Sequence, residues 1–277
     1  MYVLMCPCIS DPACRAQGIT TISDIELFTR CIERCRYFGI EIVSLPCPET
    51  EYSGSVRKPT NFLESLNTPE FSALLDEKEA EVKRIIEEKG APIAIIGVDS
   101  SPSCGVNQTY YSEKKRPGRG AFLARFPEIL AMDVKDFAAY RIYLAGPLFT
   151  EAETDYNLVL HKMLTEHLFD VYLPQEVGDT SQTRGKDEHR QIFNMHVRAL
   201  ENSDVVVAVV DGADADSGTS WEMGYATALG KRVISLRTDF RHAGHHELVN
   251  LMLEQSSEIV RKKEDLPVLL HSPLVLG

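Results

Sequence analysis

Four carboxylates, Asp211, Asp214, Asp216 and Glu222, crowd the junction between the apolar run "DVVVAVV" and the helix-forming stretch "TSWEMGYATALG". At a helix N-terminus each gains about 0.3 to 1 kcal/mol from the helix dipole, which offsets part of their mutual repulsion. Asp216 ahead of "SGTSWE" has an ordinary use as a helix N-cap, with Thr219 and Glu222 echoing a capping box. The others have no such use. Glu222 follows Asp216 by six residues, with Trp221 and Gly224 beside it, and is expected to face inward within the first turns. A carboxylate held against a sugar ring can act as a nucleophile or stabilise an oxocarbenium ion.

A second reactive set lies in the first half. All seven cysteines, Cys6, Cys8, Cys14, Cys31, Cys35, Cys47 and Cys104, precede residue 105. Cys31 and Cys35, four apart on a helix, read as small buried hydrophobes. Cys8 in "CPC", Cys47 in "PCPE" and Cys104 in "SPSCG" each sit in a Pro- or Gly-containing loop after a strand. Thiolates so placed suit zinc or an iron–sulfur cluster, and a three-cysteine set would leave one iron open. Spacing alone leaves packing and ligation equally open.

These residues need strand ends to position them. In the first half, "YVLM", "IEIVSLPC" and "IAIIGV" read as strands. "DIELFTRCIERCRYFG" reads as a helix with Ile25, Phe28, Ile32 and Cys35 on one face, closed by Gly39, and "PEFSALLDEKEAEVKRIIEEKG" as a second. "PEILAMDVKDFAAY" reads as a mixed helical segment. The second half repeats the alternation with strands "RIYLAG", "FDVYLP", "DVVVAVV" and "RVISL", and helices around 154–167, 186–202 and 221–229. Such alternation implies parallel sheets, and hence two doubly wound α/β domains, 1–138 and 139–277. Open parallel sheets bind ligands beyond the carboxyl ends of their strands. Cys8, Cys47 and Cys104 are therefore expected at one rim, within ligand distance of one metal centre, and Gly146, Asp211 and Asp216 at the other.

Composition narrows the partners. The chain has 277 residues and a formal net charge of −12, which argues against nonspecific binding to nucleic acid or acidic membranes. The basic run "SEKKRPGRG" (Lys114, Lys115, Arg116, Arg119) leaves a thiolated tRNA as a minor candidate partner, against a plain solvated loop. The loop is favoured, because residues 1–139 hold 16 Lys and Arg against 20 Asp and Glu. No apolar run approaches the roughly 20 residues that span a bilayer. "MYVLMCPC" lacks a basic segment and a long enough apolar stretch for a secretory signal, so a reducing cytoplasm without disulfides is expected.

In the second half, "IYLAGPLF" and "VVDGADADSGTSWEMGYATALGKRVI" resemble nucleoside 2-deoxyribosyltransferases over most of residues 141–253. The resemblance implies a flavodoxin-like fold and makes Glu222 the nucleophile that attacks the anomeric carbon. Asp216 would bind the sugar 5′-hydroxyl, and Tyr143 would stand near the nucleophile. Asn250 and Met252 would belong to a segment donated by a neighbouring subunit of a homo-oligomer. The substrate-binding set is Gly146, Asp211, Gly218, Asn250 and Met252. One departure stands out: His196 occupies the position eight residues before Asp204 where the family carries an aspartate that handles the base. An imidazole can replace it as proton donor. Related deoxynucleoside-monophosphate glycosidases typically have serine where Asp216 stands, and a carboxylate there would repel a 5′-phosphate.

In the first half, "MCPCIS", "CRAQG", "PCPET", "VDSSPSCGV" and "GRGAFLARFPE" resemble the thiouracil desulfurase family over most of residues 1–135. That implies a [4Fe-4S] cluster on Cys8, Cys47 and Cys104, with Glu49 and Ser101 for proton transfer and substrate contact. "CRAQG" replaces the usual "CRYDG", and either Cys6 or Cys14 can take the place of the first ligand. The expected protein is a deoxyribosyltransferase fused to a desulfurase-like domain, both acting on small nucleosides or nucleobases. Hydrolysis to free sugar and a non-catalytic nucleotide sensor are the alternatives.

Overall fold

The computed structural model describes residues 1–177, 185–244 and 246–270. The chain divides into two compact units, Met1–Ala138 and a second beginning at Ala139. The first contains β1 (Tyr2–Met5), α1 (Pro7–Ser10), α2 (Ile22–Tyr37), β2 (Glu41–Ser44), α3 (Pro48–Ser53), α4 (Pro69–Lys89), β3 (Ala94–Gly97), β4 (Gln108–Tyr110), β5 (Lys115–Pro117), β6 (Ala131–Asp133) and α5 (Val134–Ala138). Its sheet is parallel in the order β2-β1-β3-β6, while β4 and β5 form a separate antiparallel hairpin. β1 and β3 are buried along their whole length, as strands covered on both faces must be.

Two expectations change here. "PEILAMDVKDFAAY" supplies an edge strand, β6, because Ala131 to Asp133 pair with Ile95 to Gly97 before the helix begins; short edge strands lack the periodicity that would announce them. Ile25 is exposed, and α2 buries Phe28, Cys31, Arg34 and Cys35. The face turns because the Arg34 guanidinium lies over the Phe137 ring, 4.6 Å from its centroid, and donates to the Phe137 carbonyl at 2.8 Å.

The second unit contains β7 (Arg141–Ala145), α6 (Glu151–Glu166), β8 (Asp170–Tyr172), α7 (Lys186–Asn202), β9 (Val205–Val209), α8 (Ser217–Ala228), β10 (Arg232–Leu236), α9 (Leu251–Gln255), β11 (Glu258–Val260) and α10 (Leu266–Leu269). Its five strands are all parallel in the order β8-β7-β9-β10-β11. That is the flavodoxin-like order, which reverses between the first and third strands and opens a ligand crevice there. Tyr143, Ala145, Val206, Ala208 and Val233 of the sheet and Met223 and Ala226 of α8 belong to one buried core, so α8 is pinned by its apolar side. α8 begins at Ser217 rather than near Trp221 because the Asp216 side chain caps it. No helix among the described residues is long and apolar enough to cross a membrane.

Candidate active sites

Glu222 is the sixth residue of α8 and half buried. The helix tilts its carboxyl toward β7, where the Tyr143 hydroxyl donates to Glu222 Oε1. Burial pushes the Glu222 carboxyl up to about 7; the Tyr143 bond opposes the shift and the Asp216 charge adds to it. Tyr143 is held above the usual phenol range by burial and then by the Glu222 charge, so it stays a donor. Both side chains line a cavity of about 320 Å³, together with Phe193, His196, Val197, Leu200, Gly218 and Trp221. Burial pushes the His196 imidazole below its ordinary value, and its Nδ1 lies 2.9 Å from the Tyr172 hydroxyl. An apolar, aromatic slot with a carboxylate at one place and a neutral imidazole at another suits a flat heterocycle joined to a sugar.

The remaining acids of the junction are accounted for separately. Asp216 Oδ2 accepts from the Thr219 amide at 2.9 Å and its hydroxyl at 3.3 Å, which is the capping use. It lies beside the cavity: a Cβ on Gly218 would come 3.0 Å from that oxygen. Asp214 is exposed and caps the Ala215 amide. Asp211 does not line the cavity. It accepts from the amides of Thr238 and Asp239 and the Thr238 hydroxyl, at 2.6, 2.8 and 2.5 Å, and so ties the loop after β10 to the end of β9.

Buried Arg237 ties the end of β9 to the loop after β10, donating to the carbonyls of Val210, Gly212 and Arg241 at 2.5, 2.8 and 3.2 Å, while Arg241 pairs with Asp239. Arg237→Met removes that buried cation and strands its acceptor carbonyls. It is expected to lower the stability of the second unit by about 3 kcal/mol, read as a lower urea midpoint.

Gly146 also lies outside the cavity lining. A Cβ there would meet Asn157 Oδ1 at 2.9 Å, and Asn157 in turn donates to the Pro147 carbonyl and Gln175 Oε1 at 2.9 and 3.0 Å. The glycine is explained by the close approach of α6. Asn250 caps α9 by accepting from the Met252 amide at 3.0 Å. It and Met252, which is 76% exposed, stand apart from the cavity of this single chain. Phe193, Val197 and Leu200 were not singled out from the sequence. With His196 they fall at i, i+3, i+4 and i+7 on α7, so the helical period carries the signal that would have found them.

In the first unit a second cavity, of about 330 Å³, is lined by Cys6, Cys8, Cys14, Cys47 and Cys104, with Glu49, Ser101, Ser103, Arg15 and Arg57 among its other walls. Cys8 lies in the single-turn helix α1, Cys47 at the N-cap of α3 and Cys104 in the turn after β3. Three strand ends thus present thiols to one space. Burial pushes the Cys8 and Cys47 thiols up, and the neighbouring Cys104 adds to both shifts. Cys6 is pushed up by its hydrogen bond with Cys104 and then by burial. Cys31 and Cys35 are buried on α2 and take no part.

Among the described residues no group of three or more Cys, His, Asp or Glu side chains is placed to hold a metal ion. The expectation of three sulfurs within ligand distance of one centre is therefore not met. α1, α3 and the turn after β3 each bring one of these thiols to the wall of a space large enough for a small molecule. A four-iron cluster makes a different demand, because its cysteines bind different irons and need not meet at one point. The donor chemistry fits such a group. The lining is rich in soft sulfur, and mutually crowded thiols ionise together only beside a cation.

Glu49 anchors the polar wall, accepting from the hydroxyls of Ser101 and Ser103 at 3.0 and 2.5 Å and facing Arg57 at 3.6 Å. Ser103 Oγ also lies 3.4 Å from Cys104 Sγ, and Thr50 Oγ1 3.1 Å from Cys47 Sγ. Ser103 and Thr50 were missed in the sequence; "SSPSC" places Ser103 two residues after Ser101, which is its only signal. Of the basic run, Arg119 is engaged with the carbonyls of Phe126 and Ile129 at 2.5 and 2.8 Å. Arg116 stacks on Tyr111 at 3.4 Å from its centroid, which weakens the case for a polyanion-binding surface.

Residues 142–259 match the family model described as nucleoside 2-deoxyribosyltransferase. Over 129 residues the chain is 30% identical to an uncharacterized protein of Ureaplasma parvum serovar 3, covering 41% of this chain and 80% of that protein. Among solved structures it is similar to a 2-deoxyribosyltransferase from Bacillus psychrosaccharolyticus, at 23% identity and a TM-score of 0.41, covering 46% of this chain and 89% of that one. It is also similar to a [4Fe-4S]-dependent thiouracil desulfidase, at 15% identity and a TM-score of 0.33, covering 48% and 89%.

Proposed function

We propose that this chain, whose residues 142–259 match the nucleoside 2-deoxyribosyltransferase family model, cleaves the N-glycosidic bond of 2′-deoxynucleosides and passes the deoxyribosyl group to a second base. The observation that carries the reading is the half-buried Glu222 held by Tyr143 in an aromatic slot. In the first step a Glu222 oxygen forms a bond to C1′ while the C1′–N bond breaks and its electron pair leaves with the base. In the second step a nitrogen of the incoming base attacks C1′ and the carboxylate departs. Two displacements at one carbon return the original configuration. Tyr143 orients the carboxylate through Oε1. Asp216, at the cavity edge, would accept from the sugar 5′-hydroxyl and repel a 5′-phosphate.

For the first unit the reading is a desulfurase-like site for thiolated pyrimidines. Cys8, Cys47 and Cys104 would hold a [4Fe-4S] cluster, whose open iron would bind sulfur when present. Glu49, accepting from the Ser101 and Ser103 hydroxyls, would be the group for proton transfer beside the bound base.

The test of the transfer reading is an exchange assay. A 2′-deoxynucleoside incubated with the protein and a different free base is expected to yield the second 2′-deoxynucleoside. Free 2-deoxyribose alone would replace transfer by hydrolysis, and an unchanged substrate would leave a binding site without turnover.

A further inference from the structure

We infer that Tyr172 is a positioning residue for the departing base: its hydroxyl fixes His196 with the ring hydrogen on Nε2, so that the imidazole meets the base as a neutral hydrogen-bond donor. The inference rests on the reading of the Glu222 cavity as a deoxyribosyl-transfer site.

Tyr143 on β7 and Tyr172 on β8 are directly opposite one another, and their rings stack with centroids 5.3 Å apart and planes 22° from parallel. One hydroxyl of this pair serves the nucleophile, since Tyr143 donates to Glu222. The other reaches His196 Nδ1 at 2.9 Å, and the imidazole stands edge-on to the Tyr172 ring, 5.9 Å between centroids and at 75°. A single cross-strand pair thus carries both chemical ends of the cavity. Cross-strand neighbours on one face are held side by side by the pleat, so one register sets the spacing of both ends.

The direction of the Tyr172–His196 bond follows from satisfying both groups. If Nδ1 donated, the phenol hydrogen would need another acceptor in a half-buried setting, and among the described contacts Tyr172 has only His196 as a hydrogen-bond partner. With the phenol donating, Nδ1 accepts and the neutral ring carries its hydrogen on Nε2. The titratable groups on the surrounding elements agree. From α8, Glu222 acts on Tyr172 and Tyr143 and, after burial, raises both phenols, so both keep their hydrogens. Burial keeps His196 neutral.

An imidazole in this state cannot accept through Nε2. It serves bases that turn a ring nitrogen or carbonyl oxygen toward it, and its bond strengthens as the C1′–N electron pair moves onto the base. A carboxyl group at that position could donate or accept according to pH, whereas His196 held by Tyr172 only donates.

Tyr172→Phe keeps the ring stack and removes the hydroxyl. Long-range proton–nitrogen correlation spectra of the full chain, with His196 assigned by its loss in His196→Gln, read the tautomer directly. The wild type is expected to show the Nε2–H pattern, and Tyr172→Phe a mixture of both tautomers. kcat for neutral-base 2′-deoxynucleosides should fall at least about tenfold in Tyr172→Phe, with KM within about twofold. N7-methylated 2′-deoxyguanosine, whose base leaves without needing a donor, should be turned over at nearly the wild-type rate. An Nδ1–H wild type, an unchanged pattern in Tyr172→Phe, or equal losses on both substrates would overturn the inference in an active protein and leave the transfer reading standing. A wild type that turns over no 2′-deoxynucleoside would overturn that reading, and the base-donor role with it.

Discussion

Glu222→Gln is expected to lower kcat for 2′-deoxynucleoside cleavage by at least about a thousandfold, because an amide oxygen is a poor nucleophile and losses of this size accompany removal of one. The same substitution should make the second unit more stable at alkaline pH. Burial raises the folded-state value of Glu222 from 4.5 to about 7. Below the unfolded value both states are protonated and the site costs nothing. Between 4.5 and about 7 only the folded state keeps the proton, so the wild type loses up to about 3 kcal/mol over that interval, and above it the carboxyl is ionised in a poorly hydrated place; an amide loses none of this. The two proteins should therefore unfold at similar urea concentrations near pH 4, with the variant the more resistant at pH 8. A variant less active and more stable is the signature of a group kept for chemistry. Equal activity, or lower stability at every pH, would assign Glu222 to the scaffold.

The second large effect belongs to the thiol cavity. Anaerobic reconstitution with iron and sulfide is expected to load about four irons per chain, with the broad visible absorption of a cluster. Alanine at Cys8, Cys47 or Cys104 should abolish stable loading, while alanine at Cys31 or Cys35 should leave it intact. Loading that survives Cys8→Ala but fails in Cys6→Ala or Cys14→Ala would move the ligand to that cysteine. No loading in the wild type would reduce the five thiols around the cavity to packing. Thr50→Val and Ser103→Ala, which remove hydroxyls next to the Cys47 and Cys104 sulfurs, should retain iron.

The parallel sheets were legible because buried strands such as "VVVAV" and "AIIG" are continuous apolar runs bounded by turns. Two short edge strands were not: "AMD" and "EIV" are three residues each, too brief for a period, and neither is extended by flanking apolar residues as "DVY" is in "FDVYLP". Glu222 and Tyr143 could be read as neighbours only through the resemblance to nucleoside 2-deoxyribosyltransferases, which sets a tyrosine near the nucleophile. Asp211 misled for a physical reason. An aspartate just past a strand end suits a ligand, but it equally suits the amides of the next loop, and here those amides take it. Tyr172 escaped notice because its importance lies in a cross-strand register, which no local pattern encodes.

A covalent deoxyribosyl group on Glu222 would be visible as added mass. Protein mixed with a 2′-deoxynucleoside and quenched in acid within a turnover, then digested, is expected to show the peptide bearing Glu222 heavier by one 2-deoxyribosyl group. The increment should vanish on adding an acceptor base and be absent from Glu222→Gln. Products should keep the substrate's configuration at C1′. Turnover without the adduct, and with inverted configuration, would exclude Glu222 as the nucleophile.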